Sequence, residues 1–186
     1  NHENKLEDVL KYTDLVAIAT TADVVPIIDE NRLIVKEGLK NIIEGNNTGI
    51  RALLKVSKLD THSINVGKLG YWFIPKINAA GRLGDAARAV KLFTTNNSQF
   101  ANEIAIDLEN ENEKRKLITM QHENDAKRII NDSINLDQDK IIILYNDNWH
   151  FGVIGIVASR IKELYNRPTI VLTKEDGFYK GSCRSI

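Results

Sequence analysis

The chain has 186 residues, enough for one large domain or two small ones, and its 42% hydrophobic content can fill a real core. Its 25 Lys plus Arg balance 25 Asp plus Glu, so no bulk positive field draws a polyanion and any phosphate site must be local. The single cysteine, Cys183, excludes an internal disulfide framework; with no signal-peptide pattern and no apolar run near the roughly 20 residues that span a bilayer, a cytoplasmic, membrane-free protein is expected.

Both ends read as cuts in a longer protein, because the chain opens in a polar segment without a start methionine and stops in "GSCRSI", which is entering a strand. Asn46-Asn47-Thr48 and Asn131-Asp132-Ser133 match the glycosylation pattern, and without a secretory signal they are read as chance.

Leu15 to Ala19 is a short apolar run bounded by turn-prone polar residues, the pattern of a strand buried on both faces. In "DLVAIATTADVVPIIDENR" the acid Asp23 lies just past that strand's end. A carboxylate removed from water is costly unless a cation, a metal or several donors compensate it. Asp23 can cap the next turn by accepting backbone N–H bonds. It can equally be a ligand for Mg²⁺ or Mn²⁺ at the carboxyl end of a parallel strand, where open α/β sheets place their sites. Asp29 and Glu30 read as solvent-facing residues at a helix start.

Asn31 is the expected cap of a helix over "RLIVKEGLKNII", with apolar residues at 34, 35, 39, 42 and 43. "EGNNTG" ends it, a short helix "IRALLKV" follows, and Ser63 is the expected cap of a segment that Pro75 breaks. In "KINAAGRLGDAARAVKLF", Gly81 and Gly84 flank Arg82 and Leu83, which places the arginine on a bend whose backbone can approach a ligand. Asp85 then caps a helix with Ala86, Ala89, Val90 and Phe93 inward.

From about Ser98 to Ile130 the sequence predicts one helix of about 50 Å, apolar at both ends and polar all round in "ENENEKRK". Pairs Glu111–Arg115 and Glu123–Lys127 support it, and it reads as a connector between two bodies. "KIIILY", "GVIGIVASRIKELY" and "PTIVLT" give strand, helix, strand, and therefore a βαβ unit with parallel strands in a second α/β domain.

Three further segments carry candidate chemistry. "NAAGRL" sets Asn78 and Arg82 among small residues, suited either to phosphate recognition by a guanidinium fork or to an ordinary salt bridge. "NWHFGVIGIVASR" puts Trp149 and His150 before a helix whose Gly152, Gly155 and Ser159 either open its N-terminus to an anion or form a small face against the sheet. "YKGSCRSI" groups Gly181, Ser182, Arg184 and Ser185, fitted to a sugar-phosphate backbone or to a plain surface strand. Cys183 has no activating neighbour for a nucleophile's role. His2, His62 and His122 stand in polar contexts and read as solvated.

In this order, "DLVAIATTADVVPIIDENR", "PKINAAGRLGDA", "WHFGVIGIVASR" and "KGSCRSI", separated by a long polar helix, resemble the RecJ family of single-strand-specific 5′-to-3′ exonucleases in the DHH phosphoesterase superfamily. The resemblance implies an α/β fold: residues 1–96 end a parallel-sheet DHH catalytic domain, 97–135 form the connecting helix, and 136–186 begin an incomplete DHH-associated substrate-binding domain. It implies two Mn²⁺ or Mg²⁺ ions, with Asp23 as one ligand and the others, including an Asp-His-His triplet, upstream, so that the fragment alone is inactive. It implies that Asn78, Arg82, Gly181, Ser182, Arg184 and Ser185 hold DNA phosphate, that His150 lines the catalytic cleft, and that Trp149 stacks on a base. Cys183 replaces the family's usual glycine in the Gly-Ser-Gly-Arg-Ser element, tolerable where its side chain points away.

The implied partners are single-stranded DNA, with or without a 5′ phosphate, and a helicase or single-strand-binding protein as helper to a monomeric enzyme of DNA repair and recombination. Two alternatives remain at this stage: a DHH phosphoesterase for oligoribonucleotides, cyclic dinucleotides or small nucleotides, and a non-catalytic DNA-binding relative.

Overall fold

The computed structural model describes residues 9–186, in an N-terminal unit ending at Asn112 and a C-terminal unit from Glu113. His2 and the side chain of His62 lie outside the described residues. The chain is mixed α/β and predominantly helical, with one three-stranded sheet among the described residues.

The first element departs from expectation: Leu15–Ala19 belongs to helix α1 (Thr13–Ala22), not to a strand. A doubly buried strand needs ladder partners for its N–H and C=O groups, and the described residues up to 112 contain no strand to provide them. Bonding from i to i−4 satisfies the same groups within the segment. The helix also reverses which acid is buried. Asp14, in the first turn, is only 2% exposed and accepts the Leu15 N–H at 2.7 Å, and burial pushes its carboxyl pKa above the ordinary value. Asp23 is the exposed C-cap of α1.

Helix α2 (Asp29–Glu44) lies close against α1, since a Cβ at Gly38 would sit 2.2 Å from the Thr13 carbonyl oxygen. Asn41 Nδ2 reinforces the contact by donating to Leu10 O at 3.0 Å and Thr13 Oγ1 at 2.8 Å. The helix starts two residues before the expected cap: Ile28 holds the cap position, and Asn31 Nδ2 donates to Pro26 O at 3.1 Å. Helix α3 (Thr48–Val56) is capped by Asn47, whose Oδ1 accepts from Gly49 N and Ile50 N.

Asn65 rather than Ser63 caps the next segment, accepting the Lys68 N–H in the short helix α4 (Val66–Lys68). Pro75 does not break it. Proline lacks an N–H and its ring crowds the carbonyl four residues back, and the wider π turn Leu69–Phe73 absorbs both effects before α5 (Ile74–Leu83) continues. Ala86, not Asp85, holds the cap position of α6 (Ala87–Thr94), and Asp85 Oδ1 accepts the Ala87 N–H from one residue further back. The inward set differs, because Leu92 is the buried residue of α6 while Ala86 and Val90 are exposed. Packing concentrates there: a Cβ at Gly49 of α3 would lie 2.0 Å from Leu92 O. Ile42, Ile50, Leu53, Phe73 and Leu92 center the core of this unit.

The long helix exists as α7 (Ser98–Ser133), 36 residues capped by Asn97 Oδ1 at Gln99 N and Phe100 N. It contributes Ala101, Ile104 and Leu108 to the first core and Ala126 and Ile130 to the second. Its middle is not polar-exposed all round, since Asn112 and Thr119 are buried. Glu123 pairs with Lys127 at 2.6 Å as expected. Glu111 pairs with Arg88 of α6, and Lys76 of α5, itself buried, pairs with Glu109.

In the C-terminal unit, β1 (Ile142–Tyr145), α8 (Phe151–Tyr165) and β2 (Thr169–Glu175) form the expected βαβ arrangement, with Ile142 opposite Thr169 in a parallel ladder. Asp176 and Gly177, at φ 53° and 80°, turn the chain into β3 (Phe178–Arg184), antiparallel to β2. One face of α8 packs Val153, Ile154, Val157 and Ile161 inward, in one core with Ile142, Leu144 and Val171. Among the described residues, no helix is long and apolar enough to cross a membrane.

The end of α1 stores strain. Val24 N–H bonds Thr21 O and Val25 N–H bonds Thr20 O, a Schellman arrangement that puts Val24 at φ 55°, where glycine is favoured. A β-branched residue there costs about 1–2 kcal/mol, and Val24 is 86% exposed, so it has little packing to lose. Val24→Gly is expected to stabilise the chain by about 1 kcal/mol in urea unfolding, net of glycine's greater unfolded-state entropy. A lower midpoint would show the left-handed geometry to be unstrained.

Candidate functional site

The C-terminal unit assembles its polar groups where β3 passes α8. Pairing of Val171 with Ser182 and Thr169 with Arg184, plus strand alternation, puts Lys180, Ser182 and Arg184 on the α8 side and Gly181 and Cys183 on the other. Lys180 Nζ lies 5.3 Å from the Phe151 ring centroid, and Arg184 Nε donates to Ser159 Oγ at 3.0 Å. Helix positions 151, 155 and 159, each about one turn apart, thus run beside strand positions 180, 182 and 184.

Gly155 makes the approach possible, because a Cβ there would lie 3.2 Å from Ser182 Oγ and 3.4 Å from Arg184 Nη2. Arg184 Nη1 donates to Cys183 O at 2.8 Å, and Ser159 Oγ donates to Gly155 O at 3.1 Å. The small face of α8 read from the sequence therefore packs against the sheet and also borders the arginine. Cys183 is an exposed free thiol on the opposite side of the strand, so its side chain in place of glycine stays out of the Ser182–Arg184 gap. Gly181 has a packing reason, since a Cβ there would lie 2.5 Å from Leu172 Cδ2. Ser185 is exposed and donates to Ile186 O at 3.3 Å.

His150 is the N-cap of α8: its Nδ1 accepts the Gly152 N–H at 3.0 Å, which assigns the ring proton to Nε2 and makes that nitrogen a donor at the exposed helix start. Trp149 corrects the stacking expectation. It is 3% exposed, packed in the core of the unit, and cannot offer its ring face to a base. Its anchoring holds the preceding loop, with Thr173 Oγ1 donating to Trp149 O at 2.6 Å.

His122, expected in solvent, is also buried, because α7 turns it toward Trp149 at 6.1 Å between ring centroids. Its Nε2 accepts the His150 backbone N–H at 2.9 Å. Burial lowers its pKa, neighbouring His150 adds to that, and Asp125 pulls the other way. A charged imidazole could not accept that bond, so neutral His122 fixes the backbone from which His150 caps α8.

In the N-terminal unit, Arg82 sits in the last turn of α5, not on a bend, because the helix runs on to Leu83 and Gly84 is its C-cap. The helix aligns Asn78 and Arg82 at i and i+4 on one exposed face. Gly84 serves packing rather than ligand approach, since a Cβ there would lie 2.5 Å from Arg88 Nη2 and 2.7 Å from Glu111 Oε1, the atoms of the ion pair. The π turn brings α5 beside α1, with the Gly70 Cβ position 3.9 Å from Thr21 Cγ2.

Asp23 stands without the companions a metal centre needs, because no group of three or more His, Cys, Asp or Glu side chains among the described residues could hold an ion. The donor set of these residues does not fit a two-ion site by itself. Sequence reasoning missed His122 as a neighbour of the site; it singled out Gly155 and Ser159 as a small face against the sheet without pairing them with Ser182 and Arg184. The Asp-Gly pair at 176–177 was the available signal: a two-residue hairpin fixes the β3 register and with it the face shared by Ser182 and Arg184.

The DHHA1 domain family matches residues 138–186. The chain is 40% identical over 184 residues to the single-stranded-DNA-specific exonuclease RecJ of Dickeya dadantii, covering 96% of this chain and 32% of that protein. It is 38% identical to the RecJ exonuclease of Bacillus subtilis, covering 93% and 22%. The chain thus spans a third or less of these relatives' length. The crystal structure of Thermus thermophilus RecJ with Mg²⁺ superposes with a TM-score of 0.83 at 32% identity, over 95% of this chain and 27% of that one, and a Mn²⁺ complex matches equally.

The His122 contact has a pH signature. Its folded pKa lies below the ordinary 6.5, so as pH falls through that interval the unfolded chain takes up the proton first and stability is lost. His122→Gln, which retains an acceptor without titrating, is expected to flatten the fall in urea midpoint between about pH 7 and 5. A variant as pH-sensitive as the parent sequence would remove His122 from that role.

Proposed function

From the premise that this chain belongs to the RecJ family, we propose that its parent is a metal-dependent nuclease hydrolysing single-stranded DNA from the 5′ end. The observation that carries the reading is the Ser182–Arg184 pair, a hydroxyl without a partner among the described residues and a braced guanidinium, on one face of β3 beside a glycine of α8. A hydroxyl and a planar fork of donors suit a phosphodiester oxygen, and they hold the strand without reading its sequence.

Residues 136–186 would then form the substrate-holding domain, 97–135 the connector and 1–96 the end of the catalytic domain. Asn78 and Arg82, one helical turn apart, present an amide and a cation to a second phosphate. Gly181 and Ser185 shape the ends of the Ser182–Arg184 element, and His150 offers Nε2–H to the same strand. Asp23 contributes one carboxylate to a Mn²⁺ or Mg²⁺ centre completed by residues elsewhere in the parent, and bound ions would supply activated water and charge neutralisation. The 186-residue chain alone is expected to be inactive. The parent would act as a cytoplasmic monomer in repair and recombination, with a helicase or single-strand-binding protein supplying substrate.

In the parent, Asp23→Ala is expected to abolish Mn²⁺-dependent hydrolysis while single-strand binding survives; unchanged turnover would remove Asp23 from the centre. Arg82→Ala and Arg184→Ala are each expected to weaken binding and to reduce the slope of log affinity against log salt by about 0.7, the value for one single-strand phosphate contact. An unaltered slope would return either arginine to a structural role. Faster cleavage of short oligoribonucleotides than of single-stranded DNA would favour the small-substrate phosphoesterase instead.

A further inference from the structure

We infer that helix α8 takes part in the phosphate grip: Ser159 positions the Arg184 guanidinium, and Gly155 lets that guanidinium and the Ser182 hydroxyl seat side by side against the helix. The inference rests on the proposal that β3 holds DNA phosphate, and it assigns roles to two residues outside the Gly-Ser-x-Arg-Ser element.

An arginine side chain on an exposed strand has many rotamers, and fixing one has an entropic cost that weakens any ligand contact made through it. Here the fork is fixed before a ligand arrives. Ser159 Oγ spends its proton on Gly155 O at 3.1 Å, which turns its lone pairs outward, and one of them accepts Arg184 Nε at 3.0 Å. Arg184 Nη1 is tied to Cys183 O at 2.8 Å. Bracing on Nε and Nη1 leaves Nη2 to serve a ligand, and the hydroxyl of Ser182 has no partner among the described residues.

Ser182 Oγ and Arg184 Nη2 lie 3.2 and 3.4 Å from one point, the position a Cβ would take on residue 155. Residue 155 being glycine, the hydroxyl and the guanidinium seat side by side directly against the helix backbone, and a methyl group there would crowd both and shift them from that arrangement. Arginine with one edge braced and one free, beside a free hydroxyl, is a preorganised single-phosphate grip of the kind that fixes register on a nucleic-acid backbone.

The test is a double-mutant cycle on the full-length parent, reading affinity for a 5′-phosphorylated single-stranded oligonucleotide by fluorescence anisotropy at several salt concentrations, with unfolding midpoints measured in parallel. Ser159→Ala is expected to weaken binding about tenfold, the scale of a hydrogen bond to a charged group, while leaving the salt slope unchanged because the cation remains. Ser159→Thr, which restores the acceptor, should bind within about twofold of the original. In an Arg184→Ala background, Ser159→Ala should cost nothing further. Gly155→Ala should also weaken binding, and the loss should vanish once Ser182 and Arg184 are both alanine.

Equal losses in both backgrounds would mean that Ser159 supports the fold and not the arginine, and would overturn the inference. So would an undisturbed affinity in Ser159→Ala and Gly155→Ala while Arg184→Ala binds weakly. If Arg184→Ala itself changes neither affinity nor slope, the proposal that β3 grips phosphate fails first, and the roles of Ser159 and Gly155 fail with it. Should Ser159→Ala lower the unfolding midpoint, the Gly155→Ala pair of measurements, which leaves Ser159 in place, decides the matter.

Discussion

A buried N–H or C=O must find a partner, and that demand shapes this chain more than the hydrophobicity of any one segment. Leu15–Ala19 and Ile142–Tyr145 are both short apolar runs, yet one is helix and the other strand. The difference lies in what each can bond. Ile142–Tyr145 finds a parallel neighbour in β2, reached through a helix of ordinary crossover length, whereas Leu15–Ala19 has no strand beside it among the described residues and closes its bonds on itself. The same demand explains why asparagines recur at element starts. The side-chain oxygens of Asn47, Asn65 and Asn97 each accept from orphan N–H groups at a helix N-terminus, and His150 does so with a ring nitrogen.

Charged groups obey a harsher version of the rule. Lys76 is buried and sits against Glu109, and Arg88 meets Glu111 in space that Gly84 vacates. Leaving buried Lys76 unpaired would cost several kcal/mol, and both pairs fix how α5 and α6 lie along α7 more than they add net stability. Asp14 is the exception. Burial outweighs the backbone N–H groups of Leu15 and of Asp14 itself, which compensate it only in part, so its carboxyl holds a proton more readily than usual.

The sequence makes the C-terminal unit legible almost throughout, because period-2 and period-3.6 patterns there coincide with elements that find partners. It also carries the family likeness, which depends on residue identity in "NAAGRL" and "GSCRSI" rather than on the geometry of those stretches. What it hides is direction. Trp149 and His122 stand among polar neighbours, and nothing local reveals that α7 and the 146–150 loop turn both rings inward. Asp23 and Asp14 trade places for the same reason: a strand and a helix through one segment expose different side chains. Arg82 looks like a bend residue because glycines flank it, while the fold uses one of those glycines to seat an ion pair.

That distinction bears on how the glycines of a phosphate site should be judged. Gly181 lies inside the Gly-Ser-x-Arg-Ser element, yet the space it leaves is filled by Leu172 and the Val171 carbonyl, so it permits strand pairing. Gly155 lies outside the element, on the next layer, and the space it leaves borders the Ser182 hydroxyl and the Arg184 guanidinium. Motif membership and donor placement are therefore separate properties. Placement is decided by the layer facing the donors, and here that layer is a helix whose small residues 155 and 159 let a guanidinium lie across them.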